Sequence, residues 1–173
     1  MLDPNILTDN DYRLIIDKYI SDEQVQCLKN IPHHDSNRLN HCLKVSYLSY
    51  KVCKKLNLNY ESAAKAGLLH DFYFNRVNDC DYMPDKVKLF TDGHPEDAVK
   101  NAEEIFYISP LEKDIIVSHM WPISTHVPKH KESFIVSLAD KLFSFKEFGA
   151  KWNYNLSFMT GVYFIAIMNF IFN

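Results

Sequence analysis

Glu61-Ser-Ala-Ala-Lys-Ala-Gly-Leu-Leu-His70-Asp71 is the stretch on which the architecture turns. It reads as a helix of small residues, and its lack of bulk lets neighbouring backbones come close to its His-Asp end. Close approach of several elements around a His-Asp pair suits a shared ligand cage. Upstream, Arg38 to Leu56 places His41, Val45, Leu48 and Val52 at spacings of four, three and four, so His41 falls on the apolar, core-facing stripe of a helix. Downstream, residues 73 to 92 hold Asn75, Asn78, Asp79, Asp81, Pro84 and Asp92, turn formers that make a loop flanking the site.

Further helix signals surround this pair. The first helix is expected to begin near Thr8 or Asp9, and Ser21-Asp22-Glu23-Gln24 has the Ser-x-x-Gln form of a capping box, so residues 8 to 31 read as lead-in helices. Pro95 just after His94 fits a first-turn proline, and Ser109-Pro110-Leu111-Glu112 combines a capping box with proline at the first helical position. Leu111, Ile115 and His119 then share one helix face, as do Val136, Asp140 and Phe143 on the next. Trp121 to Lys131 reads as a second loop. No Asn-Gly or Asp-Gly hairpin turn lies between alternating runs. The fold class is therefore all-α, with about seven or eight helices in a single domain over residues 1–173.

The final run, Leu156 to Phe172, carries no charge over 17 residues and is interrupted by Ser157, Thr160, Gly161 and Asn169. A helix over 155–172 is expected there, buried in its own fold or serving as a contact between subunits of a homodimer, and not as a membrane span.

Whole-chain properties restrict the function classes. The 173 residues are 47% hydrophobic and 24% charged, the balance of a folded globular protein. A formal charge of -3, with scattered lysines and arginines, offers no footprint for long nucleic acid. Cys27, Cys42, Cys53 and Cys80 form no CxxC pair, and the segment MLDPNILTDNDYR lacks the regions of a secretory signal, so reduced thiols and a cytoplasmic location are expected.

Five places in the chain supply four imidazoles and two carboxylates: His41, His70-Asp71, His94, His119 and Asp140. One histidine on an apolar stripe is ordinarily a hydrogen-bonded core residue, but six polar groups facing inward together call for a common partner. A buried carboxylate costs several kcal/mol or more without a compensating charge, so Asp71 and Asp140 require a cation or strong hydrogen bonds. Mixed imidazole and carboxylate donors suit a divalent transition metal (iron, manganese, nickel, cobalt or zinc) and not calcium. Six donors are generous for one ion, and in a two-metal site Asp71, beside His70, is the natural bridging carboxylate.

In this order the six residues resemble the HD-domain superfamily of helical metal-dependent phosphohydrolases. Arg38-Leu-Asn-His41-Cys-Leu-Lys-Val45, Ala66-Gly-Leu-Leu-His-Asp71 and Val136-Ser-Leu-Ala-Asp-Lys141 are similar to that family's first, second and last motifs. Gly93-His-Pro-Glu-Asp-Ala98 and Ile115-Ile-Val-Ser-His-Met-Trp121 look like segments of small bacterial members. The likeness spans about residues 33 to 148. It implies one metal on His41, His70, Asp71 and Asp140, and a second, bridged by Asp71, on His94 and His119. Many relatives follow the His-Asp pair with small residues and a lysine, whereas Phe72-Tyr-Phe-Asn-Arg76 follows here.

The expected reaction is hydrolysis of a phosphate ester or anhydride in a nucleotide-like small molecule, with Asp71 at the catalytic centre. Arg76 is the first candidate to grip the substrate phosphate, since a guanidinium forks onto phosphate oxygens, with Arg38 and Lys141 next. His126, in His126-Val-Pro-Lys-His130, is the candidate acid for the leaving oxygen. Trp121 is a candidate platform for a base. His33, His34 and His130 lie in loop-like, polar surroundings and read as solvent-exposed or local hydrogen-bonders, with His34 placed to line an entrance. Two other functions compete: oxidation by a di-iron centre in the same cage, and a non-catalytic module that keeps metal or nucleotide for regulation.

Overall fold

Side-chain caps set where the helices begin. Asp9 accepts a hydrogen bond from the Tyr12 amide at 3.1 Å and starts α1, Asn10–Ile20. The next cap is Asp22, whose Oδ1 accepts from the amides of Gln24 (2.9 Å) and Val25 (3.4 Å) to open the short α2, Glu23–Cys27. The box expected at Ser21 is thus displaced by one residue, because a carboxylate at 22 reaches two free amides of the first turn and Ser21 is used to end α1. Asn37 and Asn59 cap α3, Arg38–Lys55, and α4, Tyr60–Leu69. Gly93, at φ 115°, precedes α5, His94–Ile105, with Pro95 in its first turn. The Ser109–Glu112 box opens α6, Pro110–Ser118, as expected. Helix α7 covers Lys131–Gly149. Each cap contributes about 1 kcal/mol.

The computed structural model describes residues 6, 8–33, 36–74 and 93–149, and over these the chain is all-α apart from one small antiparallel ladder. In that ladder β1, Pro32–His33, pairs with β2, Ser36–Asn37, directly before α3. Most of the expected loop after Asp71, including Arg76, lies outside the described residues, as do His34 and the apolar run 155–172 with its expected dimer contact. No helix among the described residues is long and apolar enough to cross a membrane.

Helix α3 is the central element, packed chiefly on α4 and then on α7, while α6 joins α4, α5 and α7. The small residues of α4 act as the sequence implies. A Cβ at Gly67 would stand 2.9 Å from the Ser46 Cα, so glycine is what allows α4 to lie against α3. Ser46 Oγ donates to Ala64 O at 2.6 Å and accepts from the Tyr12 hydroxyl at 2.8 Å, which ties α1 to this pair. Leu39, Val45, Leu68, Leu69, Ile115, Ile116 and Val136 are fully buried in the same apolar cluster, each worth about 1.5–3 kcal/mol.

Polar ties fix the remaining helices. Lys65 on α4 pairs with Glu112 on α6 at 2.8 Å, and Ser62 Oγ donates to the other Glu112 oxygen at 3.3 Å. Asp114 Oδ2 accepts from Ser133 Oγ (2.6 Å) and the Lys129 amide (3.0 Å), joining α6 to the start of α7. The segment expected as the second loop is irregular between α6 and α7, and Ser137 Oγ on α7 donates back to Trp121 O at 3.0 Å. Cys42 and Cys53 are free buried thiols, whereas Cys27 is disulfide-bonded, which corrects the expectation that all four cysteines are reduced.

Candidate metal centre

Five segments deliver the six expected ligands to one place. His41 comes from the second turn of α3, His70 and Asp71 from the end of α4, His94 from the start of α5, His119 from the end of α6 and Asp140 from the middle of α7. His41, His70 and His119 are at most 1% exposed, and Asp71 and Asp140 are also buried.

The contacts run as a chain. His41 Nε2 lies 3.1 Å from Asp140 Oδ1, and His70 Nε2 lies 3.7 Å from that same oxygen. His70 Nε2 is also 3.9 Å from Asp71 Oδ2. The other Asp71 oxygen, Oδ1, stands 3.6 Å from both His94 Nε2 and His119 Nε2. Those two imidazole nitrogens face each other at 3.1 Å.

Helix ends set the orientation of two rings by the same device. His70 and His119 are the C-cap residues of α4 and α6, each with αR backbone. His70 Nδ1 donates to Gly67 O at 2.8 Å and His119 Nδ1 donates to Ile116 O at 2.7 Å, in both cases a carbonyl of the last helical turn. When either ring is neutral, with Nδ1 carrying its proton, it presents a bare Nε2 to the cage, the arrangement in which a backbone carbonyl orients a ligating imidazole.

The donor set fits a metal. Among the described residues His70 Nε2 is buried with no hydrogen-bond partner, and His119 Nε2 lies 3.1 Å from the His94 imidazole nitrogen. A buried polar nitrogen without a partner costs about 1–3 kcal/mol, and a cation satisfies both at once. Sets of ligand atoms within 4.8 Å of one another include His41–His70–Asp140 and His70–Asp71–His119, each able to hold an ion.

Charge in the cage follows from burial against proximity. Burial opposes ionisation of Asp71, but the neighbouring His70, with the surrounding imidazoles and the Arg38 guanidinium, outweighs it and holds the carboxyl far below the usual range. Asp140 is likewise held well below it, against burial, by Lys141, by hydrogen bonding to His41 and by the nearby His70 imidazole. Burial lowers His94 and takes His119 down to about 3, while Asp71 and Asp140 overcome burial at His70 and raise it well above 6.5. Without metal, the cage thus carries two carboxylates and keeps a proton on His70.

The remaining candidates fall in different surroundings. Arg38 is 5% exposed and donates to Tyr73 O at 2.8 Å and the Tyr73 hydroxyl at 2.9 Å, with its guanidinium carbon 3.9 Å from that ring's centroid. Tyr73 also lies against His94, with ring centroids 5.0 Å apart, so it bridges Arg38 to the cage. The sequence assigned Tyr73 no part. Lys141 is buried and occupied: it donates to Asp140 Oδ2 at 2.7 Å and His119 O at 2.8 Å. His126 is half exposed and pairs with Glu96 on α5 at 3.3 Å, without a contact to any of the six cage residues. Trp121 packs edge-on against Phe134 with centroids 5.3 Å apart. His33 is partly buried and packs at a tilt against His41, with ring centroids 4.4 Å apart. Its position beside β2 depends on hairpin pairing, for which the polar segment carried no visible signal.

No curated protein and no solved structure matches the chain. A family model does: the HD domain, over residues 38–144, more than half of the chain and inclusive of all six cage residues. That domain is the mark of a superfamily of metal-dependent hydrolases. With its helices, its His-Asp pair and the four further ligands they converge on, the chain belongs to the HD-domain family.

Proposed function

We propose that the protein is a metal-dependent phosphohydrolase that cleaves a phosphate ester or anhydride of a nucleotide-like small molecule. The observation that carries this reading is the stance of Asp71, whose two oxygens face different histidines: Oδ2 toward His70, Oδ1 toward His94 and His119. A carboxylate so placed is suited to bridge two ions. His41, His70, Asp71 and Asp140 would hold one, and Asp71, His94 and His119 the other. Bound there, divalent metals lower the pKa of water and neutralise phosphoryl charge.

The chain's own residues supply the rest. Lys141 keeps Asp140 ionised and turned toward His41 and His70, a positioning role in place of the substrate contact expected from sequence. Arg38, locked by Tyr73, adds a fixed positive charge beside Asp71 and His94 that favours an anionic substrate. Arg76 stays the candidate phosphate grip and His126 the candidate acid, the latter through a rim position set by Glu96. The lead-in helices share the apolar cluster of the motif core, which supports a single domain.

The test is metal analysis of protein purified without added metal, then a screen of nucleotides and phosphate esters with manganese, iron, nickel, cobalt or zinc. Metal-dependent release of phosphate or nucleoside that Asp71→Ala abolishes is the expected result. Iron-specific oxygen consumption with no hydrolysis would replace this reading with the oxidative one.

A further inference from the structure

The geometry points to a seventh donor in the cage, His33, and we propose that it is a metal ligand. The inference rests on the metal-centre reading above and extends it to a residue outside the six. A ligand atom of His33 lies with those of His41 and Asp71 in a set whose members are all within 4.8 Å of one another. Both neighbours already belong to the cage, since His41 also groups with His70 and Asp140, and Asp71 with His70 and His119. His33 therefore enlarges the existing centre on its α3 side and does not form a separate one.

Its placement is built. His33 pairs with Ser36 and Pro32 with Asn37 in the antiparallel ladder. Asn37 caps α3 by accepting from the Asn40 amide at 2.9 Å, and the Arg38 amide donates to Ile31 O at 3.0 Å. The hairpin is thereby fastened to the first turn of the helix that carries His41. The two imidazoles lie in tilted ring contact, their centroids 4.4 Å apart and their planes at 46°. A histidine that only supported His41 by stacking would satisfy the same ring geometry, so the experiment separates ring from donor atom.

Cobalt(II) titration of the full chain, followed by visible absorption and by equilibrium competition with a chelator, is compared for wild type, His33→Ala, His33→Phe and His33→Asp. Phenylalanine keeps the stack and removes the donor; aspartate removes the stack and keeps a donor. The expected result is a loss of cobalt affinity of about tenfold or more in the alanine and phenylalanine variants, with aspartate recovering most of it and shifting the spectrum. Wild-type affinity and spectrum in His33→Phe would overturn the proposal, as would an aspartate variant no better than alanine. Should the phenylalanine variant fail to fold, shown by metal-free circular dichroism, the alanine and aspartate pair decides alone. Wild-type protein that binds no cobalt would overturn the metal centre itself, whereas tight wild-type binding left unchanged in every His33 variant sinks only the seventh ligand.

Discussion

The two halves of the cage solve the burial of charge differently. Around Asp140, the protein supplies its own compensation: Lys141 at 2.7 Å, His41 at 3.1 Å and the proton on His70. Around Asp71 Oδ1, it supplies two imidazoles that burial keeps neutral, facing each other at 3.1 Å. His94 is also the most open of the six, with 19% of its side chain exposed against 0–10% for the others. The Asp140 half is therefore preorganised without metal and belongs to the core. On the proposed reading the His94–His119 half would depend on a cation, and it lies nearer solvent.

The largest effect is expected where the halves meet. Asp71→Ala removes the one group that faces both, and phosphohydrolase turnover should fall by about 10^3-fold or more, several kcal/mol of transition-state stabilisation. Activity within tenfold of wild type would break the bridging role and, with it, the distinction between halves.

Next in size is metal removal. At a metal concentration about 1,000 times Kd, binding adds roughly 4 kcal/mol, so chelation should lower Tm by about 10 °C in a chain of this length. An unchanged melting curve would show that neither half needs an ion.

A sharper contrast comes from single ligands in metal-free protein. His41→Ala removes a hydrogen-bonded partner of a buried carboxylate and should cost about 2–4 kcal/mol in urea unfolding. His94→Ala removes a partly exposed ring that opposes another imidazole, and should cost under about 1 kcal/mol. Equal losses would erase the difference between the halves.

The shallowest effect is the pH dependence of metal-free stability. Above about pH 6.5 the folded cage holds a proton on His70 that the unfolded chain has lost, so stability falls as pH rises toward the raised pKa. Below it the unfolded chain protonates His70, His94 and His119 while the folded cage keeps the first alone, so stability falls again. A maximum near pH 6.5–7 is expected in urea midpoints. The alkaline decline should vanish once metal displaces the His70 proton. A flat alkaline limb in the metal-free protein would remove that proton from His70.

Local chemistry made much of this legible. Helical spacing put His41, His119 and Asp140 on inward faces, and the small residues of α4 announced the close approach that Gly67 realises against Ser46. Caps at Asp9 and Ser109 were readable because a side chain and the amide it bonds are three residues apart. Ser21 failed as a cap because its neighbour Asp22 is the stronger acceptor for the same amides.

What the sequence by itself determined is the all-helical class and which six polar residues face inward, since periodicity and residue type are properties of short segments. Only the tertiary structure decided how those donors divide their work. Lys141 is drawn to the helix-end carbonyl of His119, Arg38 to Tyr73, and His33 into contact with His41. Each of these pairings joins groups whose separation is set by helix packing and a hairpin register, and distances of that kind are not written in the spacing of residues along the chain.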